Sequence, residues 1–285
     1  MLTPSIHAAI SESLGDFALY GVKSIIKKYD GKLIYAGGDD VAAILPTSTV
    51  LKAAKEIENY YKSEYKFIES KSDNEPWFLT HGTNIKTNNM NSPENTNDYF
   101  DLREPKSGKL SIGLGKGEKL SISAGVLICH HKENLSQMIA RSHKVLDKAK
   151  DSGRDACAIE LKKRSGGSRY FVKSFKDEKV WDSFNKLVET LGGLSSDISR
   201  SFIYKLNLFK DGIDAILESK NYKELLLKFL EKELKDSGLN NKNSNLKENT
   251  KRVYDLTVSE INNKKIFSNE GLIITSFLAK GGDNE

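Results

Sequence analysis

The chain has 285 residues, of which 38% are hydrophobic and 29% are charged. A chain of that length can form one large domain or two ordinary ones, each with a buried core. No apolar run approaches the roughly 20 residues of a membrane-spanning helix. A net charge of +5 is compatible with a phosphate-bearing partner but does not identify one. The polar start of the chain predicts no signal peptide, and the two cysteines, Cys129 and Cys157, are expected to be buried free thiols in a reducing cytoplasm.

The first part of the chain reads as mixed α and β structure. Its predicted elements, in order, are a helix over 6–28, a hairpin with strands over 32–36 and 41–45 around Gly37-Gly38-Asp39-Asp40, and a helix over 48–61. Residues 63–118 are rich in Asn, Ser, Lys and Gly, and we interpret them as a flexible insertion. The run Gly113 to Gly117 inside it lacks the strand and helix context of a phosphate-binding loop.

Regular structure resumes after the insertion. A strand is predicted over 120–129, a helix from a cap at Asn134 or Ser136 through Lys150, and a further strand over 156–161. Beyond Gly166-Gly167 the apolar spacing turns helical. The pattern therefore predicts an α+β domain over 1–163 and an all-helical domain over 164–285.

The turn Gly37-Gly38-Asp39-Asp40 is the motif that carries chemistry. Adjacent carboxylates repel each other, and a divalent cation such as Mg²⁺ relieves that repulsion because it prefers hard oxygen ligands. The two glycines leave room for a nucleotide near the backbone. Two carboxylates with a divalent cation, next to two glycines, suit attack of a 3′-hydroxyl on an α-phosphate. Gly and Asp are also ordinary turn residues. A second Gly-Gly-Asp, at 281–283, has no flanking strands and is interpreted as a frayed end.

Three stretches resemble one family. Residues 33–46, which contain the turn, look like the second palm domain of the large subunit of type III CRISPR effector complexes, particularly the III-B form. Residues 122–132 resemble the strand that follows in that family, and Lys148 to Ala156 resemble its next helix and strand, with a more distant similarity to diguanylate cyclases. The resemblance covers residues 2 to about 165. It implies a ferredoxin-like palm that lacks its first strand, with the helical remainder as the last domain of the family.

The resemblance also implies roles for particular residues. Members of the family convert ATP into cyclic oligoadenylates when target RNA is bound, with Mg²⁺ or Mn²⁺ at the palm. Asp39 and Asp40 match the metal-binding pair. Nucleotide-contacting positions fall on Gly37, Gly38, Ser123, His131, Lys150 and Arg154. Lys150 is equally typical of a solvated lysine at a helix C-terminus, and Ser123 and His131 are equally typical of strand packing and an exposed strand end.

The family's first palm strand, with another metal-binding acidic residue, would precede the first helix. A split gene, a truncated reading frame or a shortened recombinant chain would each explain why it is not seen. The resemblance therefore predicts that activity depends on an N-terminal half, on the other subunits of the complex and, indirectly, on guide and target RNA. Two other functions stay open, namely a non-catalytic module that assembles subunits or contacts RNA, and a diguanylate-cyclase-like enzyme that uses GTP.

Overall fold

The computed structural model describes residues 3–62, 65–70, 76–80, 109–112, 120–192, 198–237, 245–261 and 264–279. The chain divides into two compact units, 1–124 and 125–285. In the first unit lie α1 (Pro4–Asp16), a π-helical segment (Phe17–Val22), α2 (Lys23–Lys28), β1 (Lys32–Gly37), β2 (Asp40–Ile44), α3 (Val50–Tyr61), β3 (Tyr65–Ser70), β4 (Pro76–Thr80) and β5 (Lys109–Ile112).

The remaining elements begin at the boundary between the two units. They are β6 (Ala124–Ile128), α4 (Leu135–Asp151), β7 (Ala156–Lys162), β8 (Ser168–Ser174), α5 (Glu178–Gly192), α6 (Arg200–Leu208), α7 (Lys210–Leu217), α8 (Tyr222–Asp236), α9 (Leu246–Thr257), β9 (Val258–Ile261), β10 (Lys264–Phe267) and α10 (Glu270–Leu278). Among the described residues, no helix is long and apolar enough to span a membrane.

The helix predicted over 6–28 is confirmed, with a π-helical segment at its centre. Thr3 caps its start, since the Thr3 hydroxyl accepts a hydrogen bond from the backbone N–H of Ile6 at 3.4 Å. The π-helical segment packs against α3: a Cβ atom on Gly21 would overlap the ring of Tyr60. Such π segments inside an α-helix are rare, and this one lies where the helix approaches Tyr60 closely.

The hairpin β1–β2 packs one face on the core of the first unit. That core comprises the buried residues Phe17, Val22, Ile25, Ile26, Ala53 and Tyr60, and the hairpin contributes Leu33, Ala36, Val41 and Ala43 to its edge. The strand register shifts between Leu33 and Tyr35, which places a β-bulge at Ile34. The opposite face of the hairpin carries the exposed side chains.

The segment predicted to be a flexible insertion contains three strands within its described parts. They pair antiparallel in the order β4-β3-β5. The run Gly113 to Gly117 and the Gly-Gly-Asp of 281–283 lie outside the described residues.

The second unit is built on a three-stranded sheet in the order β6-β7-β8. The predicted helix is confirmed as α4, capped by Asn134, whose side-chain oxygen accepts the N–H of Gln137 at 3.1 Å. Val145 and Ala149 bury one side of α4 against β7. Cys157 is buried in β7, whereas Cys129, just after β6, is only half-buried; both thiols are free.

The α+β class is confirmed, but the prediction that residues 164–285 are all-helical is wrong. β8 pairs with β7 along its whole length, and β9 and β10 form a second hairpin. Lys163 lies in the turn between β7 and β8, because its backbone N–H bonds to the carbonyl of Gly167. The strand was missed because Gly166-Gly167 reads as a domain linker, although two glycines with positive φ equally suit a hairpin turn. The domain boundary predicted there stays a prediction.

Candidate functional site

The Gly37–Asp40 turn closes β1 and β2 as a tight hairpin, as predicted. Gly37 is the cross-strand partner of Asp40, so Gly38 and Asp39 form the tip. Gly38 has a φ of +63°, a left-handed conformation that glycine adopts without steric cost. The turn therefore needs glycine at this position, and it presents two consecutive carboxylates at the end of the hairpin.

Asp39 and Asp40 are both exposed, which leaves their oxygens accessible to a cation from solvent. Mg²⁺ characteristically takes one or two protein carboxylates and completes its shell with water and substrate phosphates. Within the described ranges, no group of three or more His, Cys, Asp or Glu side chains could hold a metal ion. The donors fit an open divalent-cation site that depends on substrate oxygens for its remaining ligands.

Tyr61 is a neighbour of this tip that the sequence did not indicate. It ends α3, and its ring lies edge-on to Phe17 with the ring centroids 5.2 Å apart. Burial, and then the negative charge of Asp39, raise the pKa of its phenol. Tyr61 therefore lies within electrostatic reach of the tip. Helical periodicity indicates which face of α3 is buried but not which strand end that face meets.

The basic residues predicted to contact nucleotide meet at the C-terminal end of α4. Lys150 is exposed in the last helical turn, and the N–H of Arg154 donates to the Lys150 carbonyl at 3.2 Å. Gly153, Arg154 and Asp155 have φ values of +103°, +62° and +47°. Two consecutive non-glycine residues in this region are strained, and such strain concentrates at functional positions. Arg154 is exposed at this corner, as Lys150 is.

The carbonyl of Asp155 anchors this strained corner. It accepts hydrogen bonds from the N–H of Phe175 at 2.8 Å and from the hydroxyl of Ser174 at 3.0 Å. A cation–π contact also holds the adjacent turn of α4, with the Lys148 ammonium 4.6 Å from the ring centroid of Tyr170. Lys150 and Arg154 are both exposed at this anchored corner.

Ser123 and His131 lie on either side of β6. Ser123 is half-buried just before the strand. His131 is exposed after it, and its ring lies 4.4 Å from that of His130. Partial desolvation, followed by the charges of His131, Arg164 and Lys132, lowers the pKa of His130. His130 is half-buried and its Nδ1 accepts a hydrogen bond from the backbone N–H of Lys132 at 3.2 Å, so the exposed ring of His131 is the one open to a phosphate.

The predicted site residues thus form two local groups. Gly37, Gly38, Asp39, Asp40 and Ser123 belong to the first unit, and His131, Lys150 and Arg154 belong to the second. Carboxylates can hold a cation and cationic side chains can hold phosphates, and nucleotidyl transfer uses both kinds of group. The nucleotide-binding roles of these residues stay predictions.

A mixed α+β fold with a Gly-Gly-Asp-Asp hairpin beside a helical core defines the chain as a palm-type protein. The family model for the second palm domain of Cas10/Cmr2 matches residues 1–95 and 102–158, which is more than half of the chain. The chain therefore belongs to the Cas10/Cmr2 family, through its second palm domain.

Two curated relatives agree with that assignment. The CRISPR system Cmr subunit Cmr2 of Pyrococcus furiosus is 30% identical over 228 residues, which are 76% of this chain and 20% of that protein. The CRISPR system CMR subunit Cmr2 of Saccharolobus solfataricus is 43% identical over 56 residues, which are 20% of this chain and 5% of that protein. The chain thus spans about a fifth of the length of the first relative, and its similarity places it in the setting of type III CRISPR complexes.

Proposed function

We propose that this chain is the nucleotide-binding palm of a type III CRISPR effector complex and that it makes cyclic oligoadenylates from ATP. The observation that carries the proposal is the turn with two adjacent, exposed carboxylates, Asp39 and Asp40, in a chain of the Cas10/Cmr2 palm family. In this reading, the turn binds Mg²⁺ or Mn²⁺, and Lys150 and Arg154 bind the phosphates of ATP.

The reaction is a nucleotidyl transfer. The 3′-hydroxyl oxygen of one adenosine bonds to the α-phosphorus of an ATP, the bond from that phosphorus to the pyrophosphate oxygen breaks, and the hydroxyl proton passes to solvent. A divalent cation at the carboxylates would lower the pKa of that hydroxyl and offset the charge on the attacked phosphate. Lys150 and Arg154 would orient the triphosphate and stabilise the departing pyrophosphate.

The complete palm requires a partner segment. We propose that the palm is ferredoxin-like and that its first strand, with a further acidic ligand, comes from an N-terminal half of the large subunit. In the described residues, β1 and β2 pair only with each other, so the hairpin has strand edges open to pairing. An added strand would satisfy the backbone groups of such an edge. Guide RNA, target RNA and the other subunits of a cytoplasmic complex would then govern activity.

One experiment tests this proposal. The chain, alone and assembled with an N-terminal half, small subunits, guide and target RNA, is incubated with radiolabelled ATP and Mg²⁺ or Mn²⁺. We expect labelled oligoadenylate from the assembled complex and its loss in the Asp39→Asn, Asp40→Asn double variant. An assembled complex that forms no product, or a double variant with undiminished product, would refute the proposal. GTP in parallel tests the diguanylate-cyclase alternative.

An assembly module is the second candidate, and exposed apolar residues favour it. On α6, Tyr204 and Leu208 lie one helical turn apart and are 54% and 83% exposed. Exposed lysines surround this helical region: Lys205, Lys210, Lys228, Lys232 and Lys235. A Tyr204→Ser, Leu208→Ser variant that loses complex assembly while ATP binding persists would assign these residues to assembly.

A further inference from the structure

The outer face of the β1–β2 hairpin carries an aromatic side chain beside the carboxylate turn. Tyr35 pairs with Ala42, and Gly37 pairs with Asp40. Directly opposed residues of an antiparallel pair project to the same face, and so do residues two apart in a strand. Tyr35, Gly37, Ala42 and Asp40 therefore share one face, opposite to the Ala36 and Val41 face that packs on the core.

The ring of Tyr35 leans along this face towards the turn. A Cβ atom on Gly37 would overlap the Tyr35 hydroxyl oxygen and would lie 2.8 Å from Cζ. The missing side chain of Gly37 thus makes room for the phenol, whose end reaches the position opposite Asp40. The side chain nevertheless remains 55% exposed, so the hairpin leaves much of it open to a ligand.

The neighbouring side chains extend this surface without adding an aromatic ring. Ile34, at the bulge, is 44% exposed, and Ile44, two residues beyond Ala42 on the same face, is 49% exposed. Tyr35 is therefore the exposed apolar side chain of this face that is nearest to the carboxylates, and Ile44 lies further from the turn. A nucleotide has the same order of parts, with charged phosphates at one end and an apolar, stackable base at the other.

We propose that Tyr35 is the stacking platform for the base of the nucleotide whose phosphates and cation are held at Asp39 and Asp40. The inference rests on the proposed function and names a further nucleotide-binding residue for the same site. Along the strand, the backbone of Tyr35 lies two residues from the level of Asp40, which is about 7 Å, and its ring covers part of that distance towards the turn. A base can therefore stack on the ring while the phosphates stay at the carboxylates. Stacking of a base on an aromatic ring tolerates any base, so Tyr35 contributes affinity and leaves base selection to other groups.

Binding of a non-hydrolysable ATP analogue tests the proposal. Titration calorimetry with Mg²⁺ is performed on the large subunit completed by its N-terminal half, in wild-type, Tyr35→Phe, Tyr35→Ala and Ile44→Ala forms. We expect Tyr35→Ala to weaken binding roughly tenfold, Tyr35→Phe to stay within about twofold because the ring is kept, and Ile44→Ala to match wild type. Ribose 5-triphosphate, which lacks a base, should bind wild type and Tyr35→Ala equally.

Three outcomes separate failure of this inference from failure of the proposed function. Equal ATP-analogue binding by Tyr35→Ala and wild type, while Asp39→Asn, Asp40→Asn abolishes it, would overturn only the role of Tyr35. A loss in Ile44→Ala as large as in Tyr35→Ala would also overturn it, since it would indicate general disruption of the apolar face. A wild-type complex that binds no nucleotide would overturn both proposals together.

Discussion

Glu160 offers a direct test of how the second unit is held together. This β7 residue is 1% exposed, and its carboxylate accepts hydrogen bonds from Nε of Arg141 at 2.9 Å and from the Tyr170 hydroxyl at 2.8 Å. Nη2 of Arg141 also contacts the carboxylate and donates to the Ser168 hydroxyl at 2.9 Å. The cluster ties α4, which carries Lys150, to β7 and β8.

Glu160→Gln keeps the shape of the side chain and removes its charge. A hydrogen bond to a charged group contributes about 1.5–3 kcal/mol, and breaking a buried pair costs more. Two features reduce that cost here: the Arg141 side chain is 35% exposed and can be hydrated, and the amide oxygen of Gln can still accept from Tyr170. We therefore expect a loss of about 2 kcal/mol in the free energy of unfolding at pH 7.

The effect has a defined pH dependence. Burial alone raises the pKa of Glu160, but hydrogen bonds from Arg141, Ser168 and Tyr170 and the charge of Arg141 lower it on balance below its ordinary value of 4.5. Because the folded-state pKa is depressed, this stabilisation is fully present above pH 4.5 and is lost as the pH falls through the folded-state pKa. The difference in the free energy of unfolding between wild type and Glu160→Gln should therefore become smaller as the pH falls through that range.

Urea unfolding followed by tryptophan fluorescence measures this difference. The chain has two tryptophans, and a Trp77→Phe background leaves Trp181 of α5, whose ring lies 5.9 Å from that of Phe171 in β8. Glu224→Gln is the matched control, because Glu224 pairs with Lys228 in solvent. We expect no measurable shift from the control. Equal urea midpoints for Glu160→Gln and Glu224→Gln would refute the reasoning. So would a difference in unfolding free energy between wild type and Glu160→Gln that does not change with pH.

Two further predictions concern packing and thiol reactivity. Gly21→Ala should cost about 1–3 kcal/mol of unfolding free energy, because the added methyl overlaps the ring of Tyr60; Gly15→Ala, which meets open space, should be neutral or stabilise by up to about 1 kcal/mol. Urea unfolding followed by circular dichroism compares them, and equal losses would contradict the packing argument. Burial raises the pKa of Cys157 to about 12, so it should react with a disulfide reagent only on unfolding, whereas half-buried Cys129 should react in the native protein. Equal rates of reaction of Cys129 and Cys157 in the native protein would contradict the predicted difference in their solvent access.

The local elements were predictable because their signals are local. Helical spacing over 6–28 and 135–150 and the turn residues Gly37–Asp40 each specify their element within a few neighbours. The capping asparagine of α4 and the strand β7 follow from the same kind of short-range pattern. The family model matches these segments too, since it covers residues 1–95 and 102–158.

Other features depend on contacts between segments distant in the sequence. By strict alternation, Leu33 and Tyr35 would share a face of β1. The bulge at Ile34 instead turns Leu33 to the core and Tyr35 outward, because an extra unpaired residue reverses the alternation. The sequence alone does not place that bulge, since it depends on how β1 pairs with β2 and packs on the helices.

The sequence by itself determined the Gly-Gly-Asp-Asp hairpin turn, the α+β class and the family. The tertiary structure decided which residues surround that turn and how the second unit is held together. Tyr61 lies within electrostatic reach of Asp39, and α3 and the hairpin pack on the same core. Glu160 is held as a buried charge by Arg141, 19 residues earlier, which reaches it from α4. Such relations depend on packing between elements, and hydrophobic periodicity records which face of an element is buried but not what it is buried against.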